Sequence, residues 1–368
     1  MNLLALFLSF VFSAAITFLM IPKIILISFK KKLFDPVNER KVHSGVVPRL
    51  GGVAFAPALI ISYALLYGLC ALAGVHSVGI SPGPVSSLSL TLGLCALMLL
   101  YFVGITDDLI GVSYRVKFLV QFLCALLIVA GGVWLDDLCG LFGIHALPGW
   151  VGKPLTVLLI VYIVNAVNLI DGIDGLASGL SMVALFFLGS LFAVLGNPIF
   201  ACVAFSLLGA LCPFFYYNVF GRAERHQKIF MGDCGSLVVG LVLGFLAVGF
   251  VQTDERAAVY PDALVVAFSV LMIPCLDVAR VMLGRLRRGC NPFLPDKTHI
   301  HHKFLALGMS HRTAMVTILM LDAFFVLLNL GLAGVVDINL IVGSDVVLFC
   351  LLQAWVTHLI RRRTAQQE

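Results

Sequence analysis

The sequence predicts an all-α polytopic membrane protein, and three observations support this fold class. Hydrophobic residues make up 61% of the 368-residue chain and charged residues only 12%, whereas a soluble globular chain carries about 25% charged residues. The apolar residues come in runs of about 20, the helix length that crosses a bilayer core of about 30 Å. The alternation of apolar and polar residues that marks a membrane β-barrel is absent from these runs.

Eleven apolar segments are predicted to be transmembrane helices. The first has no charge before Lys23, so it lacks the basic start of a cleavable signal peptide and is expected to remain as a helix. Asn197 and Pro198 mark a short turn between the sixth and seventh segments. The predicted spans cover approximately residues 3–28, 50–74, 86–105, 117–135, 153–170, 176–195, 199–218, 235–252, 263–283, 313–336 and 344–360.

The basic residues predict how these spans are oriented. All 24 Lys and Arg residues except Lys153 and Arg256 fall on one side of the predicted membrane. Since cytoplasmic loops of membrane proteins carry an excess of Lys and Arg, this side is expected to be cytoplasmic. The N-terminus would then lie outside and the C-terminus in the cytoplasm. The outer loops are short and hold no polar motif, so any chemistry is expected on the cytoplasmic side.

The most polar stretch of the chain follows the fifth apolar segment and reads N-A-V-N-L-I-D-G-I-D-G-L. In it, amides and carboxylates recur at every third position, as Asn165, Asn168, Asp171 and Asp174. Glycines follow both aspartates and are expected to let the backbone leave the helix, so that the four side chains converge. Oxygen ligands gathered at a membrane boundary indicate a site for a hard cation and phosphate.

Two further acidic motifs lie on the same predicted side. Asp107 and Asp108 end the third segment, where adjacent carboxylates are costly unless they bind a cation or remain solvated. Asp233 lies between two glycines in F-M-G-D-C-G-S and is expected to reach a metal. Ser236 is predicted to cap the following helix, whose free N–H groups could then meet a phosphate. Helix capping alone would also explain this Asp and Ser.

Two basic motifs also lie on the predicted cytoplasmic side. The stretch H-S-G-V-V-P-R-L-G-G begins at His43 and contains Arg49, which could meet an anion, although an ordinary turn would also explain it. The last large loop carries His299, His301 and His302 within four residues. Membrane anchoring does not need these histidines, and the chain offers no further ligand pair at the spacing typical of zinc. A clamp for a diphosphate explains them better, because imidazole and guanidinium groups donate to phosphate oxygens.

Two acidic residues inside predicted spans have plain structural explanations. Asp277 precedes Arg280 by three residues, so the two side chains are expected to pair on one helix face. Asp322 lies deeper in its span, where a hydrogen bond inside the bundle and a functional role are equally consistent with the sequence.

These clusters, in this order, resemble the motifs of the polyprenyl-phosphate N-acetylhexosamine-1-phosphate transferase family. The resemblance rests on H-x-G-x-x-P-x-x-G-G, D-D, N-x-x-N-x-x-D-G-I-D-G, M-G-D-x-G-S and H-I-H-H, and it covers nearly the whole chain. It is strongest to the bacterial undecaprenyl-phosphate N-acetylglucosamine-1-phosphate transferases that begin enterobacterial-common-antigen, O-antigen and teichoic-acid linkage synthesis. Lys297 stands where this branch often has Arg. Lysine keeps the positive charge but lacks the bidentate fork of the guanidinium group, so the identity of the sugar stays open.

The resemblance implies a reaction, its partners and a location. HexNAc-1-phosphate, expected to be GlcNAc-1-phosphate, would pass from a UDP-sugar to undecaprenyl phosphate with release of UMP, giving the first lipid-linked intermediate of a cell-surface polysaccharide such as lipopolysaccharide. The enzyme would lie in the bacterial cytoplasmic (inner) membrane with its active site facing the cytoplasm. A homodimer is left open, and no nucleic acid is expected. Two alternatives are a phospho-N-acetylmuramoyl-pentapeptide transferase and an ion-coupled transporter, although carriers usually have repeated halves and charges near the bilayer midplane.

The resemblance also implies residue roles within a single integral membrane domain, residues 1–368. Its active site would come from loops near 43–52, 104–117, 165–176, 219–236 and 284–312. Asp107 and Asp108 would be catalytic, beside the lipid phosphate, and Asn168 and Asp233 would bind Mg²⁺, with Mn²⁺ as an alternative. The implied nucleotide and diphosphate ligands are Asn165, Asp171, Asp174, His299, His301 and His302, and the weaker candidates are His43, Arg49 and Asp277.

The acceptor's own chemistry limits what the aspartates need to do. The second pKa of a phosphate monoester is about 6, so most of the acceptor is already a dianion at neutral pH. Asp107 and Asp108 are therefore expected to orient the acceptor and support the metal more than to remove a proton. A covalent aspartyl-phosphate route is a further alternative.

Overall fold

The computed structural model describes residues 3–33, 46–74, 87–252, 262–290 and 298–366. Within these ranges the chain is built from helices, which confirms the predicted all-α membrane fold. The α-helices are α1 (Leu3–Lys31), α2 (Phe55–Leu72), α3 (Ser87–Ile110), α4 (Tyr114–Ala130), α5 (Gly149–Ile170), α6 (Leu176–Val194), α7 (Pro198–Val219), α8 (Gly232–Val251), α9 (Ala263–Ser269), α10 (Met272–Arg287), α11 (Ile300–Ala306), α12 (His311–Leu332) and α13 (Ile338–Ala365).

The helices of the described ranges suit a multi-pass membrane protein. Nine of them are long and apolar enough to cross a membrane, with α2 extended at its start by a 3-10 turn, Gly51–Ala54. The bent pair α9 and α10 would make a tenth span. Helix α4 takes the place of the predicted span 117–135, but its 17 residues fall short of the about 20 that a bilayer core requires. The count of eleven and the orientation therefore stay predictions.

The predicted span 263–283 corresponds to two helices, because the chain bends by 82° between α9 and α10. Pro274, the third residue of α10, explains the position of the break. Proline has no N–H to donate to the carbonyl four residues earlier, and its ring clashes with that carbonyl, here the one of Val270. The bend redirects α10, which carries Asp277 and Arg280.

Helix α8 forms the centre of the bundle, and every residue from Cys234 to Val251 is buried. It contacts α2, α3, α5, α6, α7 and α9. A helix that is apolar all round is stable only where other helices cover it on all sides. The first turn of α8 is therefore positioned by the surrounding helices.

Close backbone approach fixes the start of α8. The N–H groups of Gly51 and Gly52 donate to the carbonyls of Phe230 and Met231, at 3.0 and 2.8 Å. A Cβ atom on Gly52 would lie 2.1 Å from the Cα of Gly235. The paired glycines of the H-x-G-x-x-P-x-x-G-G motif thus let this segment pair with the residues that lead into α8.

Gly104 of α3 makes a similar approach from another side, and we predict that Gly104→Ala destabilises the protein. The added Cβ would lie 2.4 Å from the Cα of Cys234, so backbone would have to move. Overpacking of this kind costs about 1–3 kcal/mol, which should lower the thermal unfolding midpoint of the purified protein in detergent. Gly93→Ala in the same helix is the control, because its Cβ would meet Phe245 at an ordinary 3.6 Å. Equal midpoints for the two variants would contradict the prediction.

Candidate active site

A cavity of about 1060 Å³ lies where α3 and α5 end and α8 begins. Its walls carry most of the acidic side chains that the sequence motifs singled out, together with Arg49 and two histidines. The lining residues are Arg49, Asp107, Asp108, Leu109, Ile110, Gly111, Lys117, Asn168, Asp171, Gly172, Ile173, Asp174, Asn218, Phe230, Met231, Gly232, Asp233, His302, Leu305 and His311. The four motifs D-D, N-x-x-N-x-x-D-G-I-D-G, M-G-D-x-G-S and H-I-H-H therefore all contribute to one cavity.

Asp108 binds the first turn of α8. Its Oδ1 accepts the N–H of Asp233 at 2.8 Å, and its Oδ2 accepts the N–H of Cys234 at 3.0 Å. Gly232 precedes them with φ +72°, where a Cβ would collide with the carbonyl oxygen of Arg49 and with the Asp108 carboxylate. The prediction that Ser236 caps this helix is wrong, since α8 begins at Gly232 and Asp108 supplies the acceptors. Two of the N–H groups expected to meet a phosphate, those of Asp233 and Cys234, are bound by Asp108 instead.

Asn168 and Asp233 meet across the cavity wall. The Nδ2 group of Asn168 donates to Asp233 Oδ1 at 2.9 Å and to Ser236 Oγ at 2.8 Å. Ser236 in turn donates to a backbone carbonyl of the first turn of α8. Because Nδ2 is engaged as the donor, the amide oxygen of Asn168 is the atom that would face a cation.

Lys117 lies between two of these carboxylates and was not singled out by the sequence motifs. Its Nζ contacts Asp107 Oδ2, and it lies 2.7 Å from Asp233 Oδ2. The other oxygen of Asp107 accepts the N–H of Val112 at 2.7 Å. The signal in the sequence was a lysine on the apolar helix α4, where a charged group is costly without a partner. In the sequence alone, Lys117 is one of the basic residues that predict the orientation of the membrane spans.

Asp171 and Asp174 lie in the turn between α5 and α6. The N–H of Gly175, at φ +78°, donates to Asn218 Oδ1 at 2.6 Å, so the turn leaves the helix where the glycine permits it. Asp174 pairs with Lys228 at 2.5 Å. Asp171 faces the cavity, yet desolvation by the surrounding protein, and then the neighbouring carboxylates, raise its pKa to about 7.

Asn165 does not join the other three side chains of its motif. Its Nδ2 donates to Gln121 Oε1 at 2.6 Å and to the carbonyl of Val161 at 2.7 Å. One helical turn is 3.6 residues, so a spacing of three rotates Asn165 away from Asn168 and toward α4. The predicted convergence is confirmed for Asn168, Asp171 and Asp174 and is wrong for Asn165.

The three histidines of the H-I-H-H motif point in different directions. His302 lines the cavity. His299 lies just before α11, with its Nδ1 2.9 Å from Asp277 Oδ2. His301 is only 1% exposed, and its ring is parallel to that of His299 with centroids 5.9 Å apart. Of the three, His302 is therefore the one placed to contact a ligand in the cavity.

His301 is a neutral packing residue in this arrangement. Burial first, and then the nearby His302 and His299, lower its pKa to about 3. A group with that pKa carries no positive charge at neutral pH, so it cannot attract a phosphate as a cation. Its Nε2 lies against Gly172, where an added Cβ would be 2.1 Å away. His301 thus packs α11 against the turn that holds Asp171.

Two of the remaining candidates, Asp277 and Asp322, lie outside the cavity. Asp277 is fully buried and bonds to Arg280 at 2.7 Å, which confirms their predicted pairing, but it does not line the cavity. Asp322 is fully buried inside the bundle. His43 and Lys297 lie outside the described residues.

Two comparisons with known proteins establish the family. Residues 90–251 match the model described as glycosyl transferase family 4. The chain is 30% identical to an undecaprenyl-phosphate alpha-N-acetylglucosaminyl 1-phosphate transferase of Yersinia pestis, over 98% of this chain and 96% of that protein. The chain belongs to glycosyl transferase family 4. The family range runs from α3 to α8 and includes Asp107, Asp108, Lys117, Asn168 and Asp233.

Two further relatives agree with this assignment. A protein of the same name from Salmonella typhimurium is 31% identical over 91% of this chain and 88% of its own length. A probable undecaprenyl-phosphate N-acetylglucosaminyl 1-phosphate transferase of Bacillus subtilis is 29% identical over 96% and 93%. The resemblance inferred from the motifs is therefore confirmed.

We predict that Gly172→Ala destabilises this family member through His301. The new Cβ would overlap the His301 ring, which cannot swing away because it is buried between His299 and His302. The cost should be about 1–3 kcal/mol, measured as a lower thermal unfolding midpoint.

The control for this experiment is Gly284→Ala in α10, because no atom lies within 4 Å of its Cβ position. In addition, the double variant Gly172→Ala/His301→Ala should recover part of the midpoint lost by Gly172→Ala, since the smaller side chain removes the overlap. A double variant less stable than Gly172→Ala alone would show that the His301 contact is not the cause.

Proposed function

We propose that the protein transfers GlcNAc-1-phosphate from a UDP-sugar to undecaprenyl phosphate and releases UMP. The product would be the first lipid-linked intermediate of a cell-surface polysaccharide, made in the bacterial cytoplasmic membrane from a cavity that faces the cytoplasm. The observation that carries the proposal is the cavity itself, where Asp107, Asp108, Asn168, Asp233 and Lys117 meet at one end of an apolar bundle. The names of the related enzymes support the same acceptor and sugar.

The cavity wall suits an acceptor with an apolar tail and a charged head. Leu109 and Ile110 line it at the end of α3 and are 45% and 80% exposed. They adjoin Asp107 and Asp108, so an isoprenoid tail could remain among exposed apolar residues while its phosphate reaches the carboxylates and Lys117. Elsewhere the wall carries Asp174, His302 and His311, which can donate to or accept from a sugar nucleotide.

The chemistry is a phosphoryl transfer between two anions. An oxygen of the lipid phosphate attacks the β-phosphorus of the UDP-sugar, and the bond from that phosphorus to the bridging oxygen breaks as UMP leaves in line. Positioning and neutralisation of charge carry most such catalysis. Both oxygens of Asp108 accept backbone N–H groups, and Asp107 pairs with Lys117. These bonds favour orientation by the two aspartates over proton removal from an acceptor that is already a dianion.

Magnesium is the proposed cofactor, with manganese as an alternative. Among the described residues, no group of three or more His, Cys, Asp or Glu side chains could hold a metal ion by itself. The donor set nevertheless fits Mg²⁺, which is usually held by one or two carboxylates and by the phosphates of its substrate. The amide oxygen of Asn168 and the carboxylate of Asp233 would hold it. When bound, the ion would neutralise charge on the donor diphosphate.

Two alternative functions are less well supported than GlcNAc-1-phosphate transfer. The sequence leaves open a phospho-N-acetylmuramoyl-pentapeptide transferase and an ion-coupled transporter, but each of the relatives described above bears an N-acetylglucosaminyl transferase name. The homodimer stays a prediction.

An assay with purified components tests the proposal. The protein in detergent would be mixed with undecaprenyl phosphate, Mg²⁺ and, in separate reactions, UDP-GlcNAc, UDP-GalNAc and UDP-MurNAc-pentapeptide. We expect UMP release and a lipid-linked GlcNAc-1-phosphate, detected by mass spectrometry, with UDP-GlcNAc as the preferred donor. A chelator should stop the reaction and added Mg²⁺ should restore it. UMP release only from the muramoyl donor, or from none of the three, would refute the proposed function.

We also predict that Lys117→Met lowers turnover by about 100-fold or more, the usual loss when a group that stabilises transferred charge is removed. Without the ammonium group, Asp107 and Asp233 would face each other with no cation between them. Arg115→Met is the matched control, since Arg115 is an exposed basic residue of the same helix turn whose Nε donates to Tyr114. Similar turnover in both variants would show that Lys117 acts only as a membrane-facing charge.

A further inference from the structure

Asp277 is a buried carboxylate with a full set of partners. None of its side chain is exposed. His299 Nδ1 lies 2.9 Å from its Oδ2, Arg280 Nη2 donates to its Oδ1 at 2.7 Å, and the N–H of Ile300 lies 3.1 and 3.2 Å from its two oxygens. A buried charge is costly without such bonds, so breaking any of them is unfavourable. The bonds therefore fix the positions of His299, Arg280 and Ile300 relative to Asp277.

These partners join α10 to the start of α11. His299 and Ile300 are the residues at which α11 begins. Arg280 extends the connection, since its Nη2 also donates to the carbonyl of Thr298 at 2.6 Å. An isolated helix as short as α11, with seven residues, is not stable in water. Its position therefore depends on contacts such as those with Asp277.

The other side of α11 is held by the C-terminal helix. Lys303 Nζ donates to Gln353 Oε1 at 2.8 Å and to Thr357 Oγ1 at 3.0 Å, both on α13. Arg363 of α13 donates to the carbonyl of Leu307, just after α11. Helix α11 is thus fixed between α10 and α13, and it carries His302 and Leu305 on the cavity wall.

We propose that Asp277 is a positioning residue for the donor site. Through His299 and the start of α11, Asp277 holds His302 in place on the cavity wall. Asp277 itself does not line the cavity. The inference rests on the proposed function, because His302 is taken to contact the diphosphate of the donor. It assigns His299 a different role from that of His302: His299 links Asp277 to the helix, and His302 meets the ligand.

Asp277→Asn is the sharpest test, because it changes the bonds while keeping the size of the side chain. Asn keeps one oxygen for the N–H of Ile300, but it loses the charge that binds Arg280 and replaces one oxygen with a donor. We expect the KM for UDP-GlcNAc to rise at least about tenfold, as positioning errors of this kind do, while the KM for undecaprenyl phosphate changes less than about twofold. A larger rise for the lipid than for the donor would overturn the proposal.

A double-mutant cycle separates positioning from a general structural effect. If Asp277 acts through His302, Asp277→Asn should add little further loss in the His302→Ala background. Losses that multiply in the double variant would mean that Asp277 acts by another route. The matched control is Asp345→Asn, which alters another buried carboxylate, hydrogen-bonded to Asn329 at 2.8 Å and away from the cavity. It should leave both KM values unchanged.

Hydrogen exchange gives a readout that does not depend on activity. In Asp277→Asn, amides of residues 298–307 should exchange at least about tenfold faster, whereas those of α8 should not change. Unchanged exchange at 298–307 would overturn the proposal. If the unaltered protein releases no UMP from UDP-GlcNAc, the proposed function fails, and the exchange data alone then decide whether Asp277 holds α11.

Discussion

The bond between Asp108 and the start of α8 is the contact on which the rest of the site depends. In an apolar bundle a polar backbone group without a partner is costly, and the Asp108 carboxylate satisfies two such N–H groups at once. This places Asp233 directly beside Asp108, at the start of a helix that is buried from Cys234 to Val251. The glycines at 52 and 104 permit the approach, because a side chain at either position would collide with backbone at the start of α8.

Around this contact, the cavity balances a concentration of negative charge with lysines from distant parts of the chain. Lys117 reaches Asp107 and Asp233, while Lys228 reaches Asp174. Asp171 has no comparable partner among its described bonds, and its pKa is raised by desolvation first and then by the carboxylates around it. Such a site has a strong demand for positive charge, which a substrate that arrives with a divalent cation would meet.

Much of this arrangement can be predicted from the sequence, because short-range rules govern it. The membrane fold follows from apolar runs, and the convergence of Asn168, Asp171 and Asp174 follows from glycines that end a helix. Lys117 could not be recognised in the same way, since its meaning depends on carboxylates that are near in space and far along the chain. The rotation of Asn165 toward Gln121 likewise depends on where α4 packs. Pro274 was visible in the sequence, but a proline can kink a span mildly or break it, and only the packing partners decide which.

The complete enclosure of α8 has a mechanical consequence. Asp233 is attached to a helix whose sides contact protein and not lipid. Stretching or thinning of the bilayer acts first on helices with lipid-facing surfaces, such as α1 and α13, where long apolar side chains are exposed. Asp233 is thereby better shielded from changes in membrane tension and thickness than residues carried by those outer helices.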